Sequence, residues 1–445
     1  MSGAIAGVAP VDSPARGTYD ASASMVAAVS WLALIVLLAV PAYAWAVRGR
    51  TYGIFAFVIL AVALPGAVVM HARLAAWAPS ELRPWLAGAF AWGLLAAAAH
   101  LAHLVRARLR PALFRVLVSI PGMVFIAVGA LSGLWLLALV PVRGALWLAG
   151  FGGTPASLRW LDLVPVVIGA LSVITSLRTV EEIVRVPLAR SGPSEVTRLP
   201  VERYRWRRPT PLARRPLRIV QIADPHLGPW RPVGRLRRTI ADLVAHEPDL
   251  VLLTGDFLTM ESAGTPGALA SALEPLRRLP GRCFAIFGNH DHEAEGEIRA
   301  ALTVTGITLL VDDEAFVETA VGPVQLLGAD WVGKGQRERI LELLARFPRR
   351  AEHLRLLLLH DPLGFRHVPP GEADLTLSGH THGGQLGLVS FGLDWTVLAR
   401  TRWPDHGLFG HGSNRLYVHR GTGFYGFPLR VGVPGEASLL ELVLE

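Results

Sequence analysis

The chain has 445 residues, of which 18% are charged, and its formal net charge is +8. Globular domains carry about 25% charged residues. The low charged fraction and a mean hydropathy of +0.41 therefore exclude an ordinary soluble enzyme. The single cysteine, Cys283, excludes an intramolecular disulfide framework and is interpreted as a buried strand residue. The apolar excess lies before residue 178, so the sequence predicts a membrane segment joined to a soluble domain.

The N-terminal half is predicted to be an all-α transmembrane bundle. Residues 1–24 are rich in Ala, Gly, Ser and Pro and are predicted to be a disordered tail. Residues 25–177 are predicted to hold about five membrane-spanning helices, because roughly 20 apolar residues cross a bilayer as a helix. The predicted spans are 25–47, 52–70, 84–105, 116–140 and 161–177.

The arginines that flank these spans predict the orientation. The first and third loops contain Arg48, Arg50, Arg106, Arg108, Arg110 and Arg115, and a dense arginine run follows the fifth span. The opposite side carries Arg16, Arg73, Arg83, Arg143 and Arg159. The positive-inside rule therefore predicts that the C-terminal domain lies in the cytoplasm. The predicted location is the inner (plasma) membrane, which the chain would cross several times. Loss of the fifth span, the weakest one, would unsettle this orientation.

Residues 178–215 are predicted to be a basic connector in which Pro209 and Pro211 limit helix formation. Its arginines alternate with Tyr204 and Trp206, a pattern that fits anionic lipid head groups, retention of topology, or nucleic acid. The tract is short and adjoins a membrane span. The membrane interpretation is therefore favoured, with membrane lipids as partners and no nucleic acid expected.

Residues 216–445 are predicted to form a layered α/β domain, because short apolar runs that end in polar motifs alternate with helical stretches. The predicted strands are 218–223, 249–254, 283–287, 354–359, 375–377 and 416–419. The predicted helices are 234–246, 267–279, 293–305 and 336–346. Ligands are expected at the carboxyl ends of the strands.

Five short motifs follow these strands, and together they contain the residue types that hold divalent cations. They are Asp224-Pro225-His226, Gly255-Asp256, Gly288-Asn289-His290-Asp291, His360-Asp361 and Gly379-His380-Thr381-His382-Gly383-Gly384-Gln385. Carboxylate and imidazole groups can hold two cations close enough to act on both the attacking and leaving oxygens of a phosphate ester. The motifs therefore predict a two-metal phosphoesterase.

Residues 216–445 resemble the calcineurin-like metallophosphoesterase superfamily, and more narrowly its membrane-attached bacterial branch with the GHTHGGQ motif. The resemblance implies an α/β layered sandwich with two divalent metal ions, of which Mn, Fe and Zn are the main candidates. It implies that Asp224, His226 and His382 bind the first ion and that Asp256 bridges both. It implies that Asn289, His360 and His380 bind the second ion.

The same resemblance implies catalytic roles for two residues beside the ligands. His290 matches a histidine over the phosphate, which stabilises developing charge or protonates the leaving oxygen. Asp291 is expected to orient His290 or the turn. His292 is interpreted as a solvated loop residue or a site residue, and Arg420 and Arg430 as phosphate contacts or structural ion pairs. His406, His411 and His419 have no motif support and are interpreted as structural or substrate-side residues.

The segment 386–409 follows the last metal motif and is unusually apolar for a loop. Bilayer docking, binding of an acyl chain and core packing are all open for it. The predicted function is a membrane-anchored dinuclear phosphohydrolase that cleaves a phosphate ester or pyrophosphate, with a lipid-linked substrate favoured. The alternatives are a nuclease or cyclic-nucleotide phosphodiesterase, and a non-catalytic metal-binding membrane sensor. The sequence does not indicate an oligomeric state.

Overall fold

The protein is represented by a computed structural model that describes residues 14–151, 156–188, 191–205 and 212–444. It divides into two compact units. The first is Met1–Val105 with Val116–Val167, and the second is Arg106–Arg115 with Ile168–Glu445.

Five apolar helical segments are long enough to cross a membrane by length and composition, which confirms the predicted all-α N-terminal half. The segments are Ser24–Arg48, Arg50–Trp77, Ser80–Leu104, Ala112–Leu148 and Leu158–Leu177. Their α-helices are α1 Pro14–Arg48, α2 Arg50–Trp77, α3 Arg83–Leu104, α4 Ala112–Phe114, α5 Ile120–Ala138, α6 Val140–Leu148 and α7 Val164–Leu177.

Small residues and one buried carboxylate hold the first unit together. Helices α2 and α5 pack so closely that a Cβ atom on Gly129 would lie 3.1 Å from the Cβ of Ala67. The buried carboxylate of Asp162 accepts hydrogen bonds from Arg73 at 2.9 Å and from Arg143 at 3.2 Å. These contacts give the apolar helices a defined tertiary arrangement within their unit.

The predicted disordered tail needs correction for part of its length. Helix α1 begins at Pro14, so residues 14–24 are helical. Alanine has the highest helix propensity of any residue, and this stretch contains Ala15, Ala21 and Ala23. The helix therefore extends beyond the apolar span, and the rest of the predicted tail, residues 1–13, lies outside the described residues.

The second unit contains two seven-stranded sheets, and with its helices it confirms the predicted α/β sandwich. Its strands are β1 Thr179–Leu188, β2 Thr197–Leu199, β3 Glu202–Tyr204, β4 Leu217–Ile222, β5 Leu250–Leu253, β6 Cys283–Ala285, β7 Thr308–Leu309, β8 Asp313–Thr319, β9 Gly322–Gly328, β10 Leu354–Leu358, β11 Leu375–Ser378, β12 Gly407–His411, β13 Asn414–Val418 and β14 Gly435–Leu444. The strand orders are β3-β1-β14-β4-β5-β6-β7 and β2-β12-β13-β11-β10-β9-β8.

The sheets pack face to face, and helices cover their outer faces. One core contains Ile219 and Leu252 of the first sheet together with Leu356 and Leu375 of the second. A second core lies between the first sheet and three helices, and a third packs the second sheet against another helix. The helices are α8 Val233–Val244, α9 Met260–Ala263, α10 Ala268–Leu273, α11 Glu295–Thr305 and α12 Gln336–Arg346.

The predicted connector 178–215 is largely part of the sandwich, and this prediction also needs correction. Strand β1 pairs along its whole length with β14, the C-terminal strand. Arg203 and Arg205 donate hydrogen bonds to Glu182 of β1 at 2.5 and 3.1 Å. Since these arginines satisfy a buried carboxylate, they are not available for lipid head groups. Residues 206–211, which include Trp206, Pro209 and Pro211, lie outside the described residues.

Candidate metal centre

The five motifs meet because each follows the carboxyl end of a parallel strand. Strands β4, β5 and β6 run parallel in the first sheet, and β10 and β11 run parallel in the second. Gln221 at the end of β4 donates a hydrogen bond of 3.0 Å to the carbonyl of Ser378 at the end of β11. This bond joins the ends of the two sheets at the place where the motifs emerge.

Asp224, His226 and His382 form the first group of potential metal ligands. One ligand atom from each lies within 4.8 Å of the others. The Nε2 atoms of His226 and His382 are 3.2 Å apart, and Asp224 Oδ1 is 3.7 Å from His382 Nε2. All three residues are buried, so an ion among them would be largely shielded from solvent.

Asp256, His360 and His380 form the second group, with ligand atoms also within 4.8 Å of one another. Asn289 completes it, because its Oδ1 atom lies 2.8 Å from His380 Nδ1 and 3.1 Å from His360 Nε2. The seven residues that sequence analysis assigned as ligands thus lie together in two adjoining sets.

Asp256 lies between the two sets. Its Oδ2 atom is 3.6 Å from Nε2 of His226 in the first group and 3.5 Å from Nε2 of His360 in the second. A single carboxylate oxygen therefore faces imidazoles of both groups. In this position Asp256 could be a ligand shared by two cations.

Hydrogen bonds outside the groups prepare two histidines to accept a cation. His360 Nδ1 lies 2.7 Å from the carbonyl oxygen of Thr254, and His226 Nδ1 lies 3.5 Å from that of Leu258. A carbonyl only accepts hydrogen bonds, so each Nδ1 can donate its proton there, which would leave Nε2 to bind a cation. The mixed nitrogen and oxygen donors fit divalent transition metals.

The charges at the centre favour a cation as well. Burial raises the pKa of Asp224 to about 7 and lowers the pKa of His226 to about 4. Burial also opposes ionisation of Asp256, but the positive charge that His360 and His226 carry when protonated holds the pKa of its carboxyl well below the usual range. Burial opposes protonation of His360 too, but the Asp256 carboxylate raises the pKa of His360 to about 10 in the absence of a metal ion. A bound divalent cation would stabilise the ionised carboxylates and the neutral imidazoles together.

Backbone strain is concentrated at the same residues. Nine residues other than glycine have a positive φ in the described part of the chain, and five of them are proposed ligands: Asp224, His226, Asp256, His380 and His382. Such a conformation costs about 1 to 3 kcal/mol for each residue and persists where the surrounding structure enforces it. The φ angles therefore mark a functional site independently of the motifs.

Gly255 and Gly288 allow the strand ends to approach each other. A Cβ atom on Gly288 would lie 2.7 Å from His360 Cε1 and 2.6 Å from the backbone nitrogen of Asp256. Gly255 has a φ of +91°, a left-handed value that side chains disfavour. Gly255 and Gly288 therefore each have a steric reason to precede a proposed ligand.

Asp291 shapes the centre through the backbone. Its buried carboxylate accepts hydrogen bonds from the backbone nitrogens of Asp256 at 2.7 Å, Gly288 at 2.7 Å and Phe257 at 2.8 Å. These bonds join the turn after β5 to the turn after β6. Asp291 therefore positions the turns, one of its two predicted roles, and His290 is held instead by its own backbone nitrogen, which donates to Asp256 Oδ1 at 3.0 Å.

Tyr425 is a neighbour of the centre that sequence analysis missed. Its ring centroid lies 4.8 Å from that of His290 and 5.3 Å from that of His226. His290 is about one-third exposed, so these two rings form an accessible edge of the centre. Tyr425 lies in a Gly-rich segment outside the five motifs. The sequence around it therefore does not indicate that it lies near the metal centre.

Arg420 and Arg430 are buried and do not line the centre as phosphate contacts. Arg420 pairs with Glu182 at 2.7 Å and with Glu436 at 3.3 Å. Of its two predicted roles, it therefore has that of a structural ion pair. Arg430 donates to the carbonyls of Arg420 and Gly423, both at 2.7 Å, and its guanidinium lies 3.1 Å from His382 Nδ1. Arg430 therefore supports the loop that carries His382.

The remaining histidines lie outside both ligand groups. His292 faces Glu295 at 2.8 Å and Asp330 at 3.2 Å, so it is held by side chains away from the ligands. His406 is buried beside Asp405, with Nδ1 at 3.2 Å from the carboxylate. His419 is buried and accepts a hydrogen bond of 3.0 Å from the backbone of Gly421, and His411 belongs to β12.

Comparison with known proteins shows the family to which the chain is similar. The family model described as calcineurin-like phosphoesterase matches residues 217–384. Phosphodiesterase YaeI of Escherichia coli is 32% identical over 233 residues, which cover 51% of this chain and 83% of that protein. The uncharacterized metallophosphoesterase YkuE of Bacillus subtilis is 29% identical over 232 residues, covering 51% and 78%.

The name of a similar protein from zebrafish, Danio rerio, mentions both a transmembrane part and a metallophosphoesterase domain. It is called a transmembrane protein with metallophosphoesterase domain and is 29% identical over 247 residues, which cover 51% of this chain and 53% of that protein. This chain likewise has apolar helices that are long enough to span a membrane, followed by a phosphoesterase domain. The chain belongs to the calcineurin-like metallophosphoesterases, a superfamily of metal-dependent hydrolases.

Proposed function

We propose that this protein is a membrane-anchored dinuclear phosphohydrolase that cleaves a phosphate ester or pyrophosphate in a lipid-linked substrate. The observation that carries the proposal is the position of Asp256 Oδ2, 3.6 Å from His226 Nε2 and 3.5 Å from His360 Nε2. One carboxylate between two complete donor sets is what a two-ion centre needs.

In this proposal Asp224, His226 and His382 hold one ion, and Asn289, His360 and His380 hold the other. Asp256 belongs to both sets. Mn, Fe and Zn are the candidate metals, since imidazole with carboxylate and amide oxygens suits all three. When bound, the ions supply positive charge to the phosphoryl oxygens and make a water molecule acidic enough to act as the nucleophile.

Residues other than the metal ligands would then act on the substrate or hold the ligands in place. His290 is the accessible imidazole beside the ligands, so it is placed to neutralise charge on a phosphoryl oxygen or to give a proton to the leaving oxygen. Asp291 keeps Asp256 and Gly288 in register through the backbone hydrogen bonds described above. Arg430 supports the loop of His382.

Tyr425→Ala is expected to lower kcat about fivefold. The substitution removes the ring that packs against His290 and His226, and an aromatic contact of this kind is worth about 1 kcal/mol. Tyr425→Phe keeps the ring and should retain most of the activity. Steady-state kinetics on one phosphodiester would test this, and equal kcat values for Tyr425→Ala and the unmodified chain would exclude a positioning role.

The membrane part of the proposal rests on the five apolar segments and the arginine distribution around them. The proposed location is the inner (plasma) membrane, with the phosphoesterase domain in the cytoplasm. A lipid-linked substrate fits a hydrolase that is tethered to a bilayer and whose metal motif leads directly into an apolar loop.

Hydrolysis assays with the purified full chain would test the substrate class. The assays would compare lipid-linked phosphodiesters and pyrophosphates in mixed micelles with cyclic nucleotides and oligonucleotides, and the metal content of the same sample would be measured. We expect turnover of a lipid-linked compound to exceed that of the soluble ones. Faster cleavage of cyclic nucleotides or oligonucleotides would overturn the lipid assignment, and a metal-loaded protein without turnover would indicate a sensor.

A further inference from the structure

Residues 386–397 form a surface loop, here called the apolar loop, that exposes large hydrophobic side chains beside the metal centre. Between residues 178 and 444, the described residues include nine exposed large hydrophobic side chains. Three are scattered over the domain, and six belong to the apolar loop: Leu386, Leu388, Phe391, Leu393, Trp395 and Val397. Phe391 is 76% exposed and Leu393 is 55% exposed, so core packing does not explain these residues.

The backbone of the apolar loop is fixed by hydrogen bonds. Leu388 donates to the carbonyl of Trp395 at 2.8 Å, and Val397 donates to the carbonyl of Leu386 at 2.9 Å. Thr396 points inward, is buried, and donates to the Asp405 carboxylate at 2.5 Å. The inward position of Thr396 turns its neighbours Trp395 and Val397 outward. A hydrogen-bonded scaffold therefore presents the apolar side chains to the surroundings.

Three exposed arginines, here called the basic rim, lie at one end of this loop. Arg400 and Arg402 follow the loop after Leu398 and Ala399, and Arg366 donates a hydrogen bond of 2.7 Å to the carbonyl of Arg402. Within residues 386–402 the only acidic residue is Asp394. Apolar side chains with a tryptophan beside a cluster of arginines match the composition of segments that bind at a lipid interface.

We infer that the apolar loop docks on the surface of a lipid bilayer, with the basic rim on anionic head groups. A bilayer is favoured over a second copy of the chain because the basic rim complements anionic lipids, and because the apolar segments tether the domain to a membrane. The inference goes beyond the proposed function, since it assigns a binding surface whether or not the centre hydrolyses phosphate.

Docking of the apolar loop would also determine where the metal centre lies relative to the bilayer. Gly384 belongs to the motif that carries His380 and His382, and a Cβ atom there would lie 2.9 Å from Leu398 Cγ and 3.3 Å from Val397 Cγ2. The loop thus packs directly against the metal motif. Docking would hold the mouth of the centre at the level of the lipid head groups.

Site-specific labelling can test this docking, because the chain has one cysteine and it is buried. Cys283 is 1% exposed, and burial raises its pKa to about 12, which makes it a poor target for thiol reagents. Phe391→Cys in the full chain would carry a polarity-sensitive fluorophore in vesicles of phosphatidylcholine and phosphatidylglycerol. Val304→Cys, at an exposed apolar position of α11 in the same domain, is the matched control.

We expect the label at position 391 to emit at shorter wavelength and to lose most of its emission when the lipids carry bromine on their acyl chains. The label at position 304 should keep a water-like emission and should not be quenched. Adding Arg400→Gln and Arg402→Gln should weaken quenching at 391 in the anionic vesicles.

Equal, water-like emission at both positions would overturn the inference. A short-wavelength emission at 391 that brominated lipids do not quench would also overturn it, because the loop would then be covered by protein. The same quenching is expected in an Asp256→Asn background, so a failure of docking and a failure of hydrolysis are distinguishable.

Discussion

An Asp256→Asn chain should hydrolyse a generic aryl phosphodiester about 1,000-fold more slowly than the unmodified chain. The amide oxygen carries no full negative charge, so it cannot hold two cations as the carboxylate does, and a loss of several kcal/mol corresponds to about three powers of ten in rate. The fold should persist, because an amide oxygen can still accept the hydrogen bond from the backbone of His290. Initial rates with saturating Mn²⁺ would measure the loss.

Asp242→Asn is the matched control for this result. Asp242 is an exposed residue of α8, outside both ligand groups, and the same change there should leave the rate unaltered. Unchanged turnover in Asp256→Asn would be incompatible with the dinuclear mechanism. A similar loss in both variants would point to a defect common to the preparations rather than to the bridge.

Arg420→Met is expected to destabilise the phosphoesterase domain by about 3 to 5 kcal/mol. Arg420 is fully buried between Glu182 at 2.7 Å and Glu436 at 3.3 Å, which are themselves buried. Removing one partner of a buried ion pair leaves its counter-charge without compensation. For a domain of this size the change corresponds to a fall in melting temperature of about 10 °C, which thermal melting of the detergent-solubilised full chain would detect.

Arg237→Met provides the comparison for the buried network. Arg237 pairs with Glu274 at 2.9 Å, but both side chains are largely exposed, so the loss should remain below about 1 kcal/mol. Equal melting temperatures for Arg420→Met and Arg237→Met would contradict the assignment of Arg420 to a structural ion pair. They would reopen the alternative that Arg420 serves the substrate.

The clustering of the candidate metal ligands was predictable because these residues lie in short motifs at strand ends. Each motif follows a run such as 218–223 or 354–359, and the carboxyl ends of parallel strands meet at one edge. The structure places the strands β4 Leu217–Ile222 and β10 Leu354–Leu358 there, within one or two residues of the predictions. Local sequence was sufficient because local sequence determines both the strand and the turn after it.

The prediction of a connector at residues 178–215 was wrong because the contacts that hold this segment are distant in the sequence. Strand β1 contains Glu181, Glu182 and Arg185, and charged residues after a predicted membrane span led to the prediction of a connector. Its buried residues nevertheless alternate, and it pairs with β14 in a register that joins Thr179 to Gly435. Glu182 is compensated by Arg203 and Arg420, the latter 238 residues away. Such distant compensation is not visible in a local pattern.

Contacts between separate loops account for the other differences at the centre. Asp291 holds the turn of Asp256, 35 residues earlier, and Tyr425 packs on His226 and His290 from a segment near the C-terminus. The sequence identified Asp291 as an orienting carboxylate and left its target open. These roles depend on how the two sheets bring their loops together, which no single motif encodes.

Counting the metal ions bound to the purified chain tests the dinuclear centre most directly. Inductively coupled plasma mass spectrometry after dialysis against trace Mn²⁺ should find two ions per chain in the unmodified protein and fewer in Asp256→Asn. Removal of the ions with a chelator should abolish hydrolysis, and adding Mn²⁺ should restore it. An active protein that contains one ion or none per chain would contradict the bridging role of Asp256.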